Sequence, residues 1–338
     1  MELSQKYNDK AILWFIESKH NILIGMDIEQ KKVVYTLIVP EILRNRVDSY
    51  GITINNKIFF WSGYFSNMII FDICKADFKI ASTKEKRCSD ARYNSKYIDG
   101  NIYLFPLNKD ENVFLYDIAN NECRVVNKSK LPNCITAVNR FDDNSVLIAD
   151  GNKSRIIIYN PVADTCVYLT VEGYDGGMRD VCFDEHYIYG LSLCGTLIFI
   201  FDRYSHEYIK TIVISTDNNR AFQCMIDCND YLLLLKRESK NSLILDKTTK
   251  ECEELRDDIW NDLFVSTVKL SDNKLWIRKN KCIDGAIYVF DILHKIGEGI
   301  SYFCDKFIET AVDNGQVIEE SRLFTLEEYA EYVKGEIL

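Results

Sequence analysis

A short apolar run ending in an acid or amide recurs seven times along this chain, and no other feature restricts its fold so severely. The copies end at Asp27, Asp72, Asp117, Asn160, Asp202, Asp246 and Asp291, which lie 45, 45, 43, 42, 44 and 45 residues apart. They read, for example, Met68-Ile69-Ile70-Phe71-Asp72, Val113-Phe114-Leu115-Tyr116-Asp117 and Leu243-Ile244-Leu245-Asp246. A unit of that length cannot bury its apolar face alone, so successive units must stack on one another. A second series keeps the same phase, a polar turn followed by an apolar run. It includes Asn56-Lys57 before Ile58-Phe59-Phe60-Trp61, Gly100-Asn101 before Ile102 to Phe105, and Asn273-Lys274 before Leu275-Trp276-Ile277. A less apolar segment precedes each, as in Val47 to Ile54 and Ile135 to Phe141, and a variable one follows each Asp, as in Lys32 to Val39 and Cys123 to Val126. Short runs rich in β-branched and aromatic residues, bounded by turn formers, read as strands joined by hairpins.

Four strands per unit and seven units predict an all-β fold, a seven-bladed β-propeller of four-stranded antiparallel blades. The recurring Asp is expected to open the turn between third and fourth strands by accepting a bond from the backbone two residues on. The first unit begins almost at its second strand, so either Met1 to Tyr7 or part of the C-terminal tail must supply its innermost strand.

The segments Val113 to Asn121 and Ile287 to Leu293 resemble the third strand of kelch-type and related bacterial propellers, an apolar run closed by Tyr or Phe and then Asp. The paired Gly of the second kelch strand is absent, as are the Gly-His and Trp-Asp signatures of WD40 blades. The resemblance therefore implies the fold and carries no kelch or WD40 function with it.

The propeller is expected over residues 1–304. Residues 305–338 form an acidic tail, with nine acidic and three basic side chains, −6 of the net −10 of the whole chain. Within it a short α-helix is expected over about 325–334, docked on the propeller. Thr325 and Glu328 make a capping box, and Phe324, Leu326, Tyr329, Tyr332 and Val333 an apolar stripe.

Twelve cysteines are scattered without ligand spacing, and Cys224 and Cys228 find no second pair to complete a zinc set. They are expected as reduced, mostly buried thiols acting as small apolar residues, with no metal and no cofactor implied. The polar start, Met1 to Lys10, lacks the basic and apolar regions of a secretory signal, and no run approaches the length of a membrane span. These readings point to the cytoplasm, with no membrane partner. Net charge −10 without a basic run argues against nucleic acid. His20, His186, His206 and His294 fall in or beside turns and do not converge. No Gly-x-Ser-x-Gly elbow or phosphate loop is present, and Gly176-Gly177 reads as a tight turn.

The repeat phase sorts the charges. Loops between blades, with those joining strands two and three, receive Arg46, Arg179, Arg220 and other cations, and the aromatics Trp61, Tyr64 and Tyr93 map to the same rim. The opposite face receives Asp142, Asp143, Asp184, Asp230 and the recurring Asp series, although Asp150, Glu238 and the segment Arg256 to Asp262 put acid on the cationic face. A cationic mouth on an acidic protein focuses anionic ligands. The reading is a non-catalytic binding or scaffold module that takes a protein, a peptide or a small anionic ligand through Arg46, Arg179, Arg220, Trp61, Tyr64 and Tyr93. The alternative is an enzyme acting on a small or peptidic anionic substrate at the same face, in a bacterial biosynthetic pathway.

Overall fold

In a computed structural model the chain forms seven four-stranded antiparallel sheets and one hairpin. The structure describes residues 2–7, 10–17, 22–27, 29–38, 51–61, 67–75, 77–82, 92–107, 111–126, 130–214, 222, 224–236, 242–255, 264–271, 274–279, 286–301, 316–319 and 322–325. Blade 1 is β1 (Glu2–Tyr7), β2 (Lys10–Glu17), β3 (Ile22–Asp27) and β4 (Lys32–Ile38). Blade 2 is β5 (Gly51–Ile54), β6 (Lys57–Trp61), β7 (Asn67–Asp72) and β8 (Asp77–Ser82). Blade 3 is β9 (Arg92–Ile98), β10 (Asn101–Leu107), β11 (Val113–Asp117) and β12 (Glu122–Val126). Blade 4 is β13 (Ile135–Arg140), β14 (Val146–Asp150), β15 (Arg155–Asn160) and β16 (Thr165–Thr170). Blade 5 is β17 (Met178–Phe183), β18 (Tyr187–Ser192), β19 (Leu197–Asp202) and β20 (Tyr208–Val213). Blade 6 is β21 (Cys224–Cys228), β22 (Tyr231–Leu235), β23 (Leu243–Asp246) and β24 (Cys252–Glu254). Blade 7 is β25 (Phe264–Ser271), β26 (Lys274–Lys279), β27 (Ala286–Asp291) and β28 (Ile296–Ser301).

Every blade is built from consecutive strands, so the seven-bladed propeller holds, and β1 answers the question of ring closure. The N-terminal segment supplies the innermost strand of blade 1, and blade 7 contributes none of its strands to that sheet. An ion pair between Lys31 of blade 1 and Glu298 of blade 7 joins the two ends of the ring. The tail holds a hairpin, β29 (Gln316–Glu319) and β30 (Arg322–Thr325), which the sequence reading did not foresee, and β30 lies beside β4. The expected tail helix lies outside the described residues, apart from Thr325, which closes β30. There is no helix among the described residues, and so none long and apolar enough to cross a membrane.

The core sits between blades rather than within them. Each strand alternates its side chains between two neighbours. Ile58, Phe60, Ile69 and Phe71 of blade 2 pack on Ile12, Trp14 and Leu23 of blade 1. Phe59, Met68 and Ile70 pack on Ile102, Leu104 and Phe114 of blade 3. Because both faces of a blade are covered, its middle strands are apolar throughout, which is why the sequence shows unbroken runs rather than alternation. Burial of each such side chain stabilises the ring by about 1.5–3 kcal/mol.

Turns fix the register. Asn55 and Asn56 (φ 48° and 61°) join β5 to β6, and Asp99 and Gly100 (φ 46° and 77°) join β9 to β10. Two positive φ angles in a two-residue hairpin match the strand twist, which explains the Asn, Asp and Gly found there. The recurring acid or amide opens the turn, but in every blade it reaches the amide three residues on, and in blades 4 to 6 also the expected one two residues on. Asp27 accepts a bond from the Gln30 amide (2.8 Å), Asp72 from Lys75 (3.2 Å), Asp117 from Asn120 (2.9 Å) and Asp291 from His294 (3.1 Å). Asn160, Asp202 and Asp246 each accept two amides, at 2.7–3.0 Å. These amides hold the Asp117, Asp202 and Asp246 carboxyls below the ordinary carboxylate range.

In blades 2, 3 and 7 the residue after such a position is a wedge between its own blade and the preceding one. Ile73 and Ile292 are buried there and Ile118 is half-buried, while Pro161 of blade 4 is buried as well. Blades 5 and 6 carry cations instead, Arg203 and Lys247, and each has a built partner. The Arg203 guanidinium lies 4.8 Å from the Phe183 ring and 5.2 Å from the Phe141 ring, and donates to the Asp184 carbonyl at 2.8 Å. The Lys247 ammonium sits 2.7 Å from Asp184 Oδ2 and 2.5 Å from Asp227 Oδ1, over the Tyr189 ring at 5.4 Å. Burial alone would lower the Lys247 pKa, but the bonds to Asp184 and Asp227 outweigh it and raise it.

Candidate functional site

The start of blade 5 builds part of the loop end of the propeller. Its innermost strand follows Gly176-Gly177, and a side chain on Gly177 would lie 2.0 Å from the Gly151 carbonyl oxygen of blade 4. Only glycine admits that approach, so the pair is a close inter-blade crossing as well as a turn. Just beyond it the β17–β18 register slips. Met178 faces Ser192 but Asp180 faces Leu191, which leaves Arg179 as the extra residue of a bulge. A bulge re-aims side chains at a strand end. Arg179 Nε donates to the Leu193 carbonyl at 2.8 Å, which fixes the plane of the guanidinium.

The same slip occurs at the start of β13, around Thr136, and of β25, around Val265. Thr136 Oγ1 donates to the Met178 carbonyl at 2.7 Å and so ties blade 4 to blade 5. One structural position thus carries Thr, Arg and Val in three blades. The arginine stands out against its equivalents.

Asp180, next along, is 8% exposed. Its Oδ1 accepts the Val181 amide at 2.9 Å and its Oδ2 accepts the Met225 amide of blade 6 at 2.7 Å. Burial pushes its pKa up to about 6, against the pull of those amides, of Cys224 and of the Arg179 charge. Asp180 therefore acts as a tie between two innermost strands.

The β18–β19 loop completes this end. Ser192 Oγ accepts the Thr196 and Leu197 amides at 3.2 and 3.0 Å, and Gly195 takes a positive φ of 73°. Cys194 Sγ lies 3.2 Å from Ser192 Oγ, 3.0 Å from Thr196 Oγ1 and 4.0 Å from the Tyr174 hydroxyl. Burial works to raise the Cys194 pKa, but the hydroxyl and amide bonds prevail and lower it. Tyr174 comes from the loop between blades 4 and 5 and packs on Phe199 at 4.9 Å. Burial, then Cys194, pushes its pKa up to about 12. The nine described cysteines are all free thiols, but only Cys182 and Cys228 among them are buried, so they are not the mostly buried set the sequence suggested.

Of the residues singled out from sequence, Arg179 stands at the loop end as expected. Arg46, Tyr64 and Arg220 lie outside the described residues. Trp61 closes β6, and its side chain is outside them too. Tyr93 is not on the rim. It is 3% exposed, edge-on to Phe114 at 5.8 Å, within the core between blades 2 and 3. Strand alternation put it there, since β9 turns Tyr93 toward the same interface as Phe59 and Phe114. A further cation, Arg155 at the start of β15, is held by Asp150 at 2.7 Å and lies over the Tyr168 ring at 4.9 Å. His186 and His294 are exposed in turns and His206 is half-exposed, as expected. The sequence reading missed Cys194 and the cationic wedges. The wedges were visible as Arg and Lys after the recurring Asp where other blades have Ile or Pro.

Comparison with known proteins gives the fold without a family. No family model matches the sequence and no curated protein matches it. Among solved structures, a streptogramin B lyase is similar with a TM-score of 0.62 and 12% identity, over 82% of this chain and 89% of that one. The virginiamycin B lyase from Staphylococcus aureus, with a catalytically inactive variant bound to quinupristin, is also similar. That variant has a TM-score of 0.60 and 14% identity, over 82% of this chain and 90% of the other. The dihydro-heme d1 dehydrogenase NirN, in complex with DHE, matches with a TM-score of 0.56 and 12% identity, and this chain spans 61% of it. At such identities these likenesses show the propeller and nothing finer, and the kelch-type resemblance of the strands likewise holds at the level of the fold.

Proposed function

We propose that this propeller is a non-catalytic binding module whose loop-lined end takes an anionic group of a peptide, protein or small molecule. One observation carries the reading. Arg179 occupies a bulge position held by Thr and Val in other blades, its guanidinium plane is set by a main-chain carbonyl, and the acid beside it directs both oxygens to main-chain amides. A preset guanidinium suits a carboxylate or phosphate through paired charge-assisted bonds. Arg220, four residues before the start of blade 6 in the sequence, and Arg46, five before that of blade 2, would extend the site. Free thiols at every described cysteine support a reducing compartment, and we place the protein in the cytoplasm.

The test is the double variant Arg179→Gln/Arg220→Gln. Binding of a partner captured from the native host should weaken by about tenfold or more, with thermal unfolding nearly unchanged. Unaltered binding, or loss of folding, would make the arginines structural. A second reading has its own support, since similar folds include lyases and a dehydrogenase. On that reading an anionic substrate is converted at the same end, and the arginine pair would affect turnover as well as binding.

A further inference from the structure

The interface between blades 2 and 3 is not filled to its turn end, and a groove of about 380 Å³ opens there. Two devices close the equivalent place at other interfaces, a wedge and, between blades 6 and 7 and between blades 7 and 1, a clasp. The first is the wedge. Ile73 and Ile292 are 2% and 1% exposed, whereas Ile118, the wedge of blade 3, is only half-buried and lines the groove. The second is a clasp across the outer strands. Glu253, opposite Ile244 in blade 6, pairs with Lys295 of blade 7, and Glu298, opposite Val289 in blade 7, pairs with Lys31 of blade 1. The same register position in blade 2, opposite Ile70, is Lys79. Across from it, blade 3 offers Asn121 where blades 1 and 7 have lysine. Lys31, Asn121 and Lys295 share a left-handed φ of 51–57° just before the fourth strand. Asn121 turns to its own blade, where Oδ1 accepts the Tyr116 hydroxyl at 2.5 Å. The acid–base clasp is thus replaced by a lysine facing a neutral amide.

The groove's chemistry follows. Phe59, Ile70 and Ile118 give it an apolar floor, and Lys57, Lys75 and Lys79 line its walls. Among the described residues none of the three ammonium groups has a carboxylate within ion-pair distance. Asp72 and Asp77 also line it, and Asp72 Oδ1 is engaged by the Lys75 amide. Three cations against two acids leave a net positive site of small-molecule size over aromatic and aliphatic surface. It lies at the turn end of the blades, away from Arg179.

We propose that this groove binds a small organic anion, with an aryl or alkyl body on Phe59, Ile70 and Ile118 and a phosphate or carboxylate head among Lys57, Lys75 and Lys79. The test is calorimetric titration with phenyl phosphate and with inorganic phosphate. The wild-type chain should bind phenyl phosphate about tenfold or more tighter than inorganic phosphate. Lys79→Glu/Asn121→Lys installs the clasp of blades 7 and 1 and should weaken phenyl phosphate by about tenfold or more. Lys75→Gln, a milder change at an exposed turn, should weaken it in the same direction, and Arg179→Gln should leave it unchanged. The proposal is overturned if phenyl phosphate fails to bind the wild type, if inorganic phosphate binds as well, or if both groove variants bind as the wild type does.

Discussion

Replacing Lys247 by Ile tests how this repeat tolerates a charge in its core. By shape the change is benign, because Ile73 and Ile292 fill the same wedge in other blades. By electrostatics it is not. The ammonium, in a side chain 10% exposed, bridges Asp184 and Asp227, whose side chains are 18% and 19% exposed. Each contact, at 2.5–2.7 Å, is worth roughly 6 kcal/mol of attraction at an effective dielectric near 20. Most of that offsets the removal of the ions from water, so the net worth of the intact triad is small. Removing the cation alone is different, since it strands two half-buried carboxylates, and breaking such a pair costs about 3–5 kcal/mol. Asp184 keeps three donors, the Tyr189 hydroxyl at 2.7 Å and the His186 and Tyr187 amides at 2.8 Å, which moves the estimate to about 2–3 kcal/mol. For a chain of this length that is a fall of about 3–4 °C in the calorimetric midpoint. Lys247→Ile combined with Asp184→Asn and Asp227→Asn should recover most of it. The loss should also depend on pH. Asp184 lies below its ordinary value of 3.8: burial raises it, but the bonds from Lys247, Tyr189 and the two amides prevail. Its stabilisation is therefore present above 3.8 and disappears as pH falls through the lower folded value, where wild type and variant should converge. A Lys247→Ile protein as stable as the wild type at neutral pH would refute the reasoning.

Asp180 should show the opposite pH dependence, because burial raises its pKa from 3.8 to about 6. Its contribution is complete below 3.8 and lost as pH rises through 6, so from pH 7.5 to 5 the wild type should gain roughly 1 to 1.5 kcal/mol relative to Asp180→Asn in urea unfolding. Asn160→Asp should be neutral within about 0.5 kcal/mol, since six other blades use Asp, while Asn160→Ala should cost about 1 kcal/mol for two amides left without an acceptor. Denatured, thiol-blocked protein should carry one alkyl group on each of its twelve cysteines in intact-mass measurement.

The blade count and turn chemistry were legible because they rest on local rules repeated seven times. An apolar run buried on both faces ends at a side chain that must cap a turn, so period and residue type agree. Ring closure was not legible, because β1 resembles many polar segments and is marked by its pairing with β2 and its place beside β5. Tyr93 shows the limit for the site. Turn and loop ends are read from sequence to within a residue or two, and one residue of slip moves a side chain from rim to core. Arg179 was placed by its phase, but the bulge that singles it out depends on which residue of the partner strand it faces. The clasp that blade 2 lacks emerges only once Lys79, Glu253 and Glu298 are aligned by register.

The central claim is binding without turnover at the loop end of the propeller. The most direct measurement incubates the protein, at trace and at stoichiometric amounts, with small molecules and peptides extracted from its native host, followed by mass spectrometry of both the retained and the free fractions. The account predicts an anionic species retained in proportion to protein, chemically unchanged, and released by the Arg179→Gln/Arg220→Gln variant. A species whose mass changes with time under trace amounts of wild-type protein, and not under the variant, would contradict it.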